Sequence, residues 1–197
     1  MIDVVVFLAA LDSTIMITIM PTAVSILGGL DLYSWVFSSY LLASTITIMI
    51  FGKLSDMFGQ KRLLLISISF FIVGSFLGGL SRDMFQLVIF RGLQGIGGGG
   101  ILGLSIIVFG STFPPEKRGK VQGLVSGVWA VASIVGPLLG GIIVATLGWR
   151  WTFFINIPIG LFAMTLIMLI FTDPDSSRTK LPINYRGLIL FTIGSVL

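Results

Sequence analysis

The chain has no histidine, no cysteine and few charges of either sign. Without cysteine it can form no disulfide and offers no thiolate nucleophile. Without either residue it has no His or Cys metal ligands. Ser-His-Asp and Cys-His triads are excluded. An enzyme buried in a membrane needs paired carboxylates, a base or metal ligands, and Asp12 is the one carboxylate well inside an apolar run. The chain is therefore not expected to be an enzyme. Charged residues make up 10% of it, against about one quarter in a soluble domain. So few charges cannot cover a surface that faces water.

Apolar residues make up 55% of the chain, and mean hydropathy is +1.09. About 20 apolar residues cross a hydrocarbon core of roughly 30 Å. By that measure spans fall at Ile2–Leu27, Trp35–Phe51, Leu63–Leu80, Phe85–Phe109, Val121–Leu147 and Thr152–Phe171. The runs are continuous and lack period-2 alternation, which favours helices over a barrel. The first run has no basic n-region and no A-x-A site after it, so it reads as a retained helix. The expected organisation is a six-helix bundle over residues 1–172, a cytoplasmic linker over 173–185, and the start of a seventh helix over 186–197, cut off at Leu197.

Lys and Arg are distributed unevenly. One set of connections holds Lys53, Lys61, Arg62, Lys117, Arg118, Lys120, Arg178, Lys180 and Arg186. The opposite connections hold Arg82 and Arg150, and Arg91 lies inside a span. Basic connections stay in the cytoplasm, so the N-terminus is expected there, in a multi-pass protein of the cell membrane. Trp35, Trp149 and Trp151 fall where interfacial anchors belong. The net charge of +4 is accounted for by these helix ends. No basic stripe interleaved with aromatics points to nucleic acid.

In lipid the informative residues are the polar ones, because an ionised group at mid-membrane is costly and faces a cavity or a partner. Asp12 sits in Leu11-Asp12-Ser13-Thr14-Ile15, ahead of Pro21. Pro21 takes the helical donor from the carbonyl of Ile17 and allows a bend. Asp12 is expected to line a pathway. Arg91 is expected to point inward to a carboxylate or polar network, with snorkelling to the interface as the alternative. Helical spacing puts Arg91, Gln94, Gly95 and Gly98 on one face. The fourth span also carries Gly92, Gly97, Gly99, Gly100 and Gly103. The fifth carries Ala132, Gly136 and Gly140 four apart, with Pro137 and Gly141 beside them. Such small residues allow close helix contact, either as static packing or as a sliding surface. Between the second and third spans, Gly52-Lys-Leu-Ser-Asp56-Met-Phe-Gly59-Gln-Lys61-Arg62 reads as a charged turn. There Gly59 permits a tight turn, and Asp56 can reach a helix N-terminus or a neighbouring base.

These segments resemble the signatures of the major facilitator superfamily. Gly52-x-Leu54-x-Asp56-x-x-Gly59-x-Lys61 resembles its loop motif, and Leu87-x-x-x-Arg91-x-x-Gln94-Gly95-x-Gly97 its fourth-helix motif. Gly136-Pro137-x-x-Gly140-Gly141 is similar to the fifth-helix motif of its antiporters. Leu11-Asp12-x-Thr14-Ile15 followed by Pro21 resembles the first-helix motif of the drug:proton antiporter branch with fourteen spans. Met57 and Gln60 stand where the loop motif usually has bases, and Ala132 where the fifth-helix motif usually opens with glycine.

The resemblance implies an all-α six-helix N-terminal bundle that works by alternating access. It implies efflux of lipophilic, often cationic, small molecules with the proton as coupling ion and no other cofactor. Asp12, Arg91 and Gln94 would form the substrate and proton pathway. Gly52, Asp56, Gly59, Lys61 and Arg62 would latch one conformation. Gly136, Pro137, Gly140 and Gly141 would shape the contact with a second helical bundle, which the fragment needs in order to transport. The alternatives are an exporter or importer of one metabolite on the same fold, and a non-transporting half-transporter subunit.

Overall fold

A computed structural model describes residues 2–173. The expected linker, apart from Asp173, and the expected start of a seventh helix lie outside the described residues. So do Arg178, Lys180 and Arg186. The described residues form α1 (Ile2–Leu27), a short 3-10 turn at Leu30–Leu32, α2 (Tyr33–Phe58), α3 (Gln60–Gly79) and α4 (Met84–Thr112). They continue with α5 (Pro115–Thr146), α6 (Trp151–Phe154) and α7 (Asn156–Ile170). Among the described residues six helical segments are long and apolar enough to cross a membrane, the sixth being α6 and α7 together. α1 runs through Pro21 and α5 through Pro137.

Two connections and one span differ from the sequence expectation. The charged turn between the second and third spans reduces to one residue: α2 continues to Phe58, α3 begins at Gln60, and Gly59 joins them at φ 91°. Only glycine adopts that backbone conformation readily. The basic segment before the fifth span is not a loop. Pro115 opens α5, so Lys117, Arg118 and Lys120 lie in its first turns; proline suits a helix start because its missing donor is one of the unpaired ones there. The hydrogen-bond ladder of the sixth span is interrupted at Ile155, which keeps helical angles of φ −63° and ψ −25°. Pro158 has no N–H to offer the carbonyl of Phe154 and its ring crowds that carbonyl, so a bond is missing while the span runs on.

α4 is the centre of the packing. It lies against α2 on one side and α3 on the other, while α1 packs chiefly on α5 and also touches α4 and α7. Glycine makes the α4 contacts possible. A Cβ on Gly99 would run into the carbonyl of Ser44, and one on Gly95 into the carbonyl of Tyr40, both on α2. A Cβ on Gly97 would meet the backbone of Ser67 and Phe71 on α3. In this structure the glycines serve close helix-to-helix packing on two faces at once.

The apolar core divides in two. One cluster gathers Val5, Leu8, Leu64, Phe71, Leu104 and Ile167 towards the end that carries Lys61 and Lys117. The other gathers Leu11, Ile15, Met20, Leu87, Trp149 and Phe153 towards the opposite end. Trp149 is thus a core residue, 2% exposed, and not an interfacial anchor; Trp35 and Trp151 are 54% and 51% exposed. The ring of Trp149 packs edge-on to Phe153 and carries the Arg150 guanidinium on its face.

Replacing Gly99 with alanine should cost about 1–3 kcal/mol through overpacking. The same change at Gly127, where a Cβ meets nothing within 4 Å, should leave stability unchanged or slightly raised. Thermal unfolding of both variants in detergent micelles checks the contrast.

Candidate functional site

Between the two apolar clusters lies a layer of polar side chains contributed by five helices. Asp12 comes from α1, Tyr40 from α2, Ser75 from α3, Arg91 and Gln94 from α4, and Asn156 from the first turn of α7. None is more than 5% exposed. Arg91 therefore does not snorkel to an interface.

The carboxylate of Asp12 is the hub. Its Oδ2 accepts from Nη1 of Arg91 at 2.6 Å. Its Oδ1 accepts from Nε2 of Gln94 at 2.9 Å and from Nδ2 of Asn156 at 2.7 Å. The second acceptor for Arg91 Nη1 is Oε1 of Gln94, at 2.7 Å. Ser75 Oγ accepts from Asn156 at 2.9 Å and from Gln94 at 3.2 Å, and donates to the carbonyl of Phe153 at 3.0 Å. The Arg91 guanidinium also lies 4.3 Å from the centre of the Tyr40 ring, a cation–π contact that gains strength away from water. Among the described residues this is the only ion pair. It is made of charge-assisted bonds, the strong kind, in a layer from which water is excluded.

Sequence reasoning places Asp12, Arg91 and Gln94 in one site, and the structure brings them into direct contact. It misses Tyr40, Ser75 and Asn156. Tyr40 and Ser75 carry no special signal, since hydroxyls are common in membrane helices. Asn156 does carry one: an amide between Ile155 and Ile157 in an apolar run is costly without partners. Its carbonyl Oδ1 has no hydrogen-bond partner. An orphaned buried acceptor costs about 1–3 kcal/mol, so its two N–H bonds outweigh that loss.

The fifth-helix residues divide. Gly136 and Gly140 face α1, where a Cβ on Gly136 would collide with the hydroxyl of Thr14. Thr14 also donates to the carbonyl of Ala132 at 2.9 Å and so ties α1 to α5. Pro137 and Gly141, each one position further on, are exposed.

At the basic end, Asp56 is exposed and makes no hydrogen bond or ion pair among the described residues. Arg62 is exposed as well. The position expected of Asp56, at a helix N-terminus, is held by Asp173. Its Oδ1 accepts from the backbone N–H of Lys61 at 2.7 Å, at the positive end of α3. Lys61 Nζ in turn donates to the carbonyl of Met168, 2.9 Å away, near the C-terminus of α7. Each helix end thus caps the other. Gly59 leaves room for this, since a Cβ there would lie 2.6 Å from Asp173 Oδ2. Gly52 packs beside Ile107.

A polar layer sealed inside a bundle of six apolar spans marks a multi-pass membrane protein. The sequence matches the Major Facilitator Superfamily over residues 2–192, and the chain belongs to that family. It is 41% identical over 191 residues to Multidrug resistance protein 3 of Bacillus subtilis, covering 97% of this chain and 37% of that protein. It is 42% identical over 187 residues to Multidrug transporter protein MdtP of the same organism, covering 95% and 34%. Over 194 residues it is 36% identical to the Acurin A biosynthesis cluster MFS-type transporter of Aspergillus aculeatus, covering 95% and 35%. The chain thus spans about a third of the length of these relatives.

Removing one member of the buried pair leaves an uncompensated charge. Arg91→Leu should lower unfolding stability by about 3–5 kcal/mol, and adding Asp12→Asn should recover part of the loss, as a double-mutant cycle in detergent would show. At the other site, Gly59→Ala should destabilise by about 1–3 kcal/mol through backbone strain and collision with Asp173. Asp173→Ala in the same chain should relieve the steric share only, read from the same unfolding curves.

Proposed function

We propose that this chain is the N-terminal bundle of a proton-coupled multidrug efflux antiporter that works by alternating access. The observation that carries this reading is the Asp12–Arg91 pair, buried midway between the two apolar clusters. A proton taken up by Asp12 neutralises the carboxylate. Arg91 is then a buried cation without a counter-charge, which costs several kcal/mol. The guanidinium must find another acceptor or reach water, and either response moves α4 relative to α1. Protonation thereby becomes a bias between conformations. The membrane potential supplies energy on the same scale, about 2.3 kcal/mol per charge per 100 mV.

In this reading the basic end faces the cytoplasm of the cell, following the excess of Lys and Arg. Lipophilic, often cationic, compounds enter a cavity between this bundle and a second one. The exposed face of α5 with Pro137 and Gly141 meets that second bundle. Asp56, with Lys61 and Arg62 nearby, latches one conformation from the cytoplasmic side. The names of the two Bacillus relatives support a drug cargo. The Aspergillus relative, named for a biosynthesis cluster, favours a second reading in which the cargo is one metabolite.

The test is a chimaera in which this chain replaces the matching segment of Multidrug resistance protein 3. Cells producing it should expel a fluorescent cationic dye, and Asp12→Asn should abolish that efflux. Undiminished efflux from the Asp12→Asn chimaera would remove Asp12 from the mechanism. Protection against one compound class only would favour the metabolite reading.

A further inference from the structure

Asn156 lies outside the segments singled out in the sequence, yet it touches Asp12, the buried carboxylate among the described residues. We propose that Asn156 is a positioning residue that fixes the orientation of the Asp12 carboxylate towards Arg91; this rests on the proton-site reading of Asp12. Three features of the geometry carry the proposal.

First, the amide donates both its hydrogens, one to Asp12 Oδ1 at 2.7 Å and one to Ser75 Oγ at 2.9 Å. Its own carbonyl is left unpartnered in the core. The amide is therefore turned towards Asp12 and Ser75 at the expense of its own acceptor.

Second, the bond on Oδ1 fixes the orientation of the whole carboxylate. With Gln94 and Asn156 both on Oδ1, only Oδ2 is left for Arg91. If the bond from Asn156 were removed, the carboxylate could turn about its Cβ–Cγ axis and the ion pair would lose its fixed geometry.

Third, Asn156 is tied to its own span through α3. Ser75, which receives the second hydrogen of Asn156, itself donates to the carbonyl of Phe153, just ahead of it in the chain. The hydroxyl therefore holds the amide against the backbone of its own span and fixes its aim at Asp12.

The titratable groups that face Asp12 are Arg91 from α4 and Tyr40 from α2. The groups reaching it from α3 and α7 are the neutral Ser75 and Asn156. α5 meets α1 through Thr14, Ile15 and Thr18, against Ala132, Gly136 and Gly140. Asn156 can thus be changed without changing the charge of the site.

The experiment is infrared difference spectroscopy of this chain in lipid nanodiscs at one fixed pH, which follows the antisymmetric stretch of a carboxylate. The band that disappears in Asp12→Asn belongs to Asp12. In Asn156→Leu, similar in size but without donors, that band should shift and broaden, because Oδ1 loses a donor and the carboxylate its fixed orientation. Ser75→Ala, which frees the amide without touching Asp12, should give a smaller change in the same direction; it decides the matter if Asn156→Leu does not fold. A band unchanged in the folded variants overturns the proposal. The spectrum needs no transport, so an inactive chimaera would leave its result standing. An unchanged band would likewise leave the efflux reading intact.

Discussion

The structure depends on one ion pair that lipid forbids to stand open. Asp12 and Arg91 lie on different helices, 79 positions apart in the chain, and neither is tolerable alone in this setting. Their contact fixes the rotation of α1 and α4 about their own axes. That rotation decides which residues reach the polar layer and which join the apolar clusters on either side. Gln94, Ser75 and Asn156 complete the layer because a carboxylate and a guanidinium between them have more hydrogen-bonding capacity than they can satisfy mutually.

The second constraint is the narrowness of α4. A helix that carries an arginine into the middle of a bundle must still be packed on both flanks. Glycine provides this by letting α2 and α3 approach to backbone contact. The cost is that any side chain there is excluded, so the same residues that make the site possible leave little freedom for substitution. The other side of α1 packs closely on α5, where the Thr14 hydroxyl reaches across to the carbonyl of Ala132 beside Gly136.

Much of this was legible in the residues. Spans could be counted because continuous apolar runs have one stable solution in a bilayer. The ends were less accurate, since α2 and α5 run on into charged sequence that hydropathy assigns to loops. Arg91, Gln94 and Asp12 stood out because each is expensive in such a run. Asn156 was equally expensive but neutral, and a reading tuned to charge passed over it. Trp149 was misplaced because position along the chain suggests an interface, whereas burial depends on which way a ring turns. Asp173 was unreadable as a helix cap, because its partner is 112 positions away and no local pattern links the two.

The joint at Gly59 has a further consequence, for the order of assembly. α2 and α3 follow one another across a single residue, but they touch each other far less than each touches α4. A growing chain that has threaded only three spans into the bilayer holds a hinged pair with little to press its halves together. The hairpin closes when the fourth span wedges between them. The unit that matures as one is therefore the trio, and a defect in the glycine track of the last member would be felt by two helices already made.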